Sequence, residues 1–150
     1  MKEARCVVYQ FLLLIIVLGL CGCQGASKDS TKVPGTTQWT DAGIDVRKGQ
    51  VISVQAAGDV YVNKRIHSNP NGIDDPTMKP ITKLVLRRYN VTSEARHGAL
   101  IGKIGKKGSP FLLGAQGKLK ADSDGRLYLG LNDKNPENNR GHYVARVSVK

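Results

Sequence analysis

Gly125-Arg126-Leu127-Tyr128-Leu129-Gly130-Leu131-Asn132-Asp133 decides the fold, because its leucines fall on every second residue and the run stops at an Asn-Asp pair. A period of two puts the leucines on one face of an extended chain and Arg126 and Tyr128 on the other, which is a half-buried strand. The same alternation recurs in Ile52, Val54 and Ala56 against Ser53 and Gln55, and in Tyr143, Ala145 and Val147 against Arg146 and Ser148. Residues 39–46, 83–89, 99–104, 111–113 and 118–121 read as further strands, separated by glycine-rich and Asp-Gly turns at 105–108 and 122–125. No stretch shows a period near 3.6. Roughly seven to nine short strands in about 110 residues predict an all-β domain, an antiparallel β-sandwich or jelly roll.

The amino terminus is of another kind. An unbroken apolar run at residues 11–20 follows Lys2, Glu3 and Arg5 and ends in Cys21-Gly22-Cys23. A spanning helix needs about 20 apolar residues. This shorter run reads as a cleaved bacterial lipoprotein signal over residues 1–22, which implies a diacylglyceryl group on the Cys23 sulfur and an acyl chain (palmitate-like) on the new amino terminus. Several chains on one residue hold a membrane far better than one. Gln24 in place of an aspartate favours the outer membrane of the cell envelope. Residues 23–38 are Gly, Ser, Thr, Lys and Pro with little to bury, and are expected to be a flexible tether. The domain is expected to run from 39 to 150.

The chain has 150 residues and a net charge of +11, nearly all of it outside the leader. Such a surface attracts anionic polymers and headgroups. Aromatic residues are only 5%, and no basic-aromatic platform for stacking bases is visible, which sets nucleic acid aside. The three cysteines, Cys6, Cys21 and Cys23, all belong to the leader or its edge, so the domain has no disulfide and no thiolate chemistry.

Two segments break the strand rhythm. Residues 63–80 form a long loop rich in Asn, Asp and Pro; residues 132–141 form a second, between two confident strands. In the second, Asp133, Asn135, Glu137, Asn138 and Asn139 put five oxygen-bearing side chains into seven residues. Hard oxygen donors of this kind suit calcium, which takes six to eight of them. The spacing is not that of an EF-hand, and Asn-rich turns also arise because Asn tolerates left-handed backbone and bonds its own chain.

The order of short motifs resembles the PA-IL-like galactophilic lectins. Those motifs are Trp39-Thr40-Asp41-Ala42-Gly43-Ile44-Asp45-Val46, Gly49-Gln50-Val51-Ile52-Ser53-Val54, Ala99-Leu100-Ile101-Gly102-Lys103-Ile104-Gly105, Pro110-Phe111-Leu112-Leu113-Gly114, the leucine strand ending in Asn132-Asp133, and Asn138-Asn139. The resemblance covers residues 39–149 and implies a galactose-binding-like sandwich with calcium bound by Asp133, Asn138 and Asn139. It further implies a carbonyl near Asn135 or Pro136 and another at Tyr61 or Val62, with His67 reaching a sugar hydroxyl. The loop from Asp133 to Asn138 is shorter than in the galactose binders, and the early loop has no glutamine to accompany His67.

Other residues carry less. His67, His97 and His142 are too widely spaced, and lack a cysteine, for a zinc site. No Gly-X-Ser-X-Gly elbow is present, and nothing nominates a catalytic residue. Asp74-Asp75 sits between Gly72 and Pro76 and reads as a turn tip; Trp39 reads as a cap on the core rather than a sugar platform. The expected function is non-catalytic, calcium-dependent carbohydrate binding by a lipid-anchored envelope protein. The competing expectation is an adaptor that keeps the sandwich, has lost the metal, and binds anionic envelope polymers or a protein partner through its basic face.

Overall fold

The computed structural model describes residues 27–150, so the leader and Cys23 lie outside the described residues. Among these are nine strands: β1 (Ser27–Pro34), β2 (Trp39–Val46), β3 (Val51–Val62), β4 (Ile66–Ser68), β5 (Leu100–Ile104), β6 (Phe111–Leu112), β7 (Gln116–Lys120), β8 (Gly125–Leu131) and β9 (Arg140–Val149). One helix, α1 (Pro80–Arg87), separates β4 from β5, and a single 3-10 turn covers Pro136–Asn138.

The strands form two antiparallel sheets. In the first, the order is β1-β9-β3-β4, with β7 beside the opening half of β3 and β4 beside its end. In the second, the order is β2-β8-β5-β6. The alternating residues of the sequence fill the space between them: Ile52, Val54 and Val60 from β3 and Tyr143, Ala145, Val147 and Val149 from β9 meet Leu127, Leu129 and Leu131 from β8, with Ile44 and Val46 from β2. The all-β antiparallel sandwich expected from the period-two runs is the observed fold. A smaller cluster of Ala95, Ala99 and Ile101 lies apart from this core, with Trp39 and Val91 packed on it. Trp39 thus caps packed residues, and Gly130 makes room for it: a Cβ there would lie 2.8 Å from the indole Cε3.

Two expectations are corrected. Residues 27–34, read as flexible tether, form a strand paired with β9 from Ser27 opposite Ser148 to Pro34 opposite His142. Thr31 and Val33 turn inward on alternate residues while Lys32 faces out, so two inward residues suffice for an edge strand. Residues 83–89, read as a strand, belong mainly to α1. Pro80 occupies the first turn, where its fixed φ and missing N–H suit a helix start, and Ile81, Leu84 and Val85 then fall at i, i+3 and i+4. That apolar stripe faces solvent: Ile81 is 62% and Leu84 53% exposed, and no residue of α1 is buried.

Candidate functional site

β8 ends at Leu131, and the next two residues turn inward rather than out. Asn132 is fully buried: its Oδ1 accepts from the Thr92 N–H at 2.9 Å, and its Nδ2 lies 2.8 Å from the Ala95 carbonyl and 3.1 Å from those of Thr92 and Arg96. One side chain thereby holds the segment 92–96 against the second sheet. Asn90 continues the job by donating to the Ala95 carbonyl at 3.1 Å and accepting from His97 Nδ1 at 2.9 Å.

Asp133 is 2% exposed. Its Oδ1 accepts from the Asn135 N–H at 2.9 Å and its Oδ2 from Asn139 Nδ2 at 2.9 Å. Asn139, 3% exposed, also donates to the Gly35 carbonyl at 3.2 Å and accepts through Oδ1 from the Asn63 N–H at 2.9 Å. Three loops therefore converge on two side chains: the β1–β2 turn, the left-handed turn at Asn63 and Lys64 (φ 49° and 61°), and the loop 133–139, which meets itself there through its two ends. His97, 6% exposed, stands with Nε2 3.8 Å from Asp133 Oδ2. Since Asn90 Oδ1 accepts from Nδ1, the imidazole carries its hydrogen there. Burial lowers the His97 pKa, and the Asp133 charge opposes that shift.

The remaining expected site residues lie elsewhere. Asn138 and Asn135 are exposed, on and beside the 3-10 turn. Tyr61, in β3, points to the outer face of the first sheet, where the Arg140 guanidinium lies 4.4 Å over its ring and the His67 ring 5.6 Å away. His67 bonds Asp59 through Nε2 at 2.5 Å. It thus shares a face with Tyr61, while Asp133 and Asn139 pair in the interior. The Tyr61 carbonyl accepts from the Lys64 N–H at 3.3 Å. Asp74 pairs with Arg96 at 2.8 Å, and Asp75 accepts from both the hydroxyl and the N–H of Thr77, which lower its pKa with a smaller contribution from Lys83. That is a turn tip, as its neighbours indicated.

Among the described residues no three His, Cys, Asp or Glu side chains converge as metal ligands. The donors that do gather, one buried carboxylate with asparagine and main-chain oxygens, are of the hard type that calcium accepts. Asp133 fits as the charged ligand. Asn139 fits only with its amide turned over, because its Oδ1 now faces Asn63 and its nitrogen faces Asp133.

Sequence reasoning gave no site role to Asn132, Asn90, His97 or Tyr143. The Tyr143 hydroxyl lies 2.8 Å from the carbonyls of Asn69 and Gly98, and burial raises its pKa. Gly98 is needed beside it: its φ is +78°, and a Cβ would run into Ser68 Oγ. Only the buried class of Tyr143 was readable beforehand, from its place in the alternation.

A groove of about 570 Å³ opens beside this network, between α1 and the segment 90–97. A second, of about 520 Å³, holds His67, Asn69 and Asp75.

No family model and no curated protein sequence matches the chain. Among solved structures, one similar to it is an EclA N-terminal domain described as a PllA-like lectin, at 18% identity and a TM-score of 0.62, with 83% of this chain and 98% of that domain covered. The two share a fold: this chain is built as a lectin-type β-sandwich.

Proposed function

We propose that this protein is a non-catalytic carbohydrate-binding lipoprotein of a bacterial envelope, anchored through Cys23, with Asp133 as the charged ligand of a calcium ion. The observation that carries the reading is the buried Asp133 carboxylate at the head of an asparagine-rich loop, on a sandwich shared with a lectin domain. Asn138 and Asn135 add neutral oxygens from the exposed side of that loop, and Asn139 adds one if its amide turns. A bound calcium supplies a centre on which two neighbouring sugar hydroxyls can replace water. The chain's own residues do the rest: Asn132 holds the wall beside the loop through the backbone of 92–96. With one carboxylate, ion affinity is expected on the order of 10⁻⁴ to 10⁻³ M, suited to an extracellular site.

The adaptor reading is favoured by one specific observation. Asp133 and Asn139 already satisfy each other, and turning the amide loses bonds to Asn63 and Gly35. Calorimetric titration of the full chain in detergent micelles with calcium, alongside Asp133→Asn, separates the two. Saturable binding with a raised melting temperature, both lost in the variant, supports the lectin reading and leads to a glycan screen. No heat at millimolar calcium leaves the adaptor.

A further inference from the structure

We propose that the groove between α1 and the segment 90–97 is a binding site in its own right, and that it takes an acidic sugar through its carboxylate. It deepens the carbohydrate-binding reading and shares with it only the sugar, not the calcium. The volume, about 570 Å³, is that of a small-molecule site.

Lys83 and Arg87 both line it, four residues apart on one face of α1. Among the described residues neither is within salt-bridge distance of a carboxylate, whereas Arg96 on the same groove is already matched by Asp74. An ammonium and a guanidinium side by side call for an anion. Across the groove stands Glu94, touched only weakly, by the Ser93 hydroxyl at 3.4 Å. A carboxylate there repels a dianion such as phosphate and accepts from hydroxyl groups. Leu86 gives an apolar patch for the C–H face of a ring, while Asn90 and His97 give polar walls. A monoanion carrying hydroxyls, a uronic-type sugar, satisfies all of these at once.

The walls are fixed in advance, since Asn132 and Asn90 bond the 92–96 backbone and spare the ligand that ordering cost.

The test is an amide NMR titration of the full chain in micelles, in calcium-free buffer, with galacturonate against galactose up to about 20 mM, well above a millimolar Kd. Galacturonate should shift the amides of Lys83, Arg87 and Glu94, and galactose should bind about tenfold more weakly or less. Lys83→Ala and Arg87→Ala should each weaken galacturonate about tenfold, the usual loss for a charged hydrogen bond. Lys118→Ala, an equal charge removed on β7, should change nothing. Equal response to both sugars, equal loss in Lys118→Ala, tighter binding of inorganic phosphate, or no shift overturns the proposal. Calcium-induced shifts at 133–139 without a galacturonate response would overturn the groove and leave the calcium reading standing; the reverse pattern would do the opposite.

Discussion

The loop 132–139 and the helix α1 both border residues 90–97, and they handle polarity in opposite ways. In the loop, Asn132, Asp133 and Asn139 are buried and each polar atom has a partner. On the helix, nothing is buried, the apolar stripe of Ile81, Leu84 and Val85 faces water, and among the described residues neither Lys83 nor Arg87 is within salt-bridge distance of a carboxylate. Closed networks fix a shape and resist change, because a buried group that loses its partner keeps its desolvation cost. Open charged surfaces cost little to alter and keep their binding capacity for something else. The segment that both border inherits rigidity from the loop and access from the helix.

Asn132→Ala is the change expected to break this contrast most. It strands the Thr92 N–H and the carbonyls that share Nδ2, and should cost about 3 kcal/mol, read as a lower denaturation midpoint with faster amide exchange over 92–97. Asn139→Ala comes next, at about 2 kcal/mol, since Asn63, Gly35 and Asp133 lose a common partner but lie closer to solvent-exposed turns.

Acid probes the same network without mutation. The His97 pKa is lowered in the folded state below its ordinary 6.5, chiefly by burial, so folding favours the neutral ring. That contribution is complete above about pH 6.5 and fades as pH falls through the lowered value, because the unfolded chain takes up the proton first. Melting temperature should therefore drop on acidification below pH 6.5, and His97→Gln should flatten that part of the profile. The smallest effect belongs to the helix. Leu84→Ser removes an exposed side chain, and its stability change should stay within about 0.5 kcal/mol in a urea titration. A larger loss would mean that the stripe is covered in solution.

Period two made β2, β8 and β9 readable, because each carries three or more inward apolar residues. β1 escaped notice because Thr31 and Val33 are embedded among lysine, serine and threonine, and it owes its order to β9. α1 escaped because Leu84-Val85-Leu86 satisfies either period and the helical stripe was not matched to any buried surface. Within the site, Asp133 and Asn139, grouped in the sequence by proximity, are hydrogen-bonded to each other. It could not show that Tyr61 and His67 face outward, since strand parity settles that only once Val60 and Val62 are known to point in. Nor could it show Asn132 gripping a backbone 36 to 40 residues away.

β1 also has a mechanical meaning. It enters the first sheet beside Ser148, runs about 24 Å along β9, and delivers Gly35 to Asn139. Tension applied along its axis through the preceding residues loads the β1–β9 ladder in shear, where many bonds share the strain. The same strand acts as a stay, setting the pole that holds Asp133 one strand length from the pole where the chain comes in, and a pull strong enough to slide it would first tug on the carbonyl that steadies Asn139.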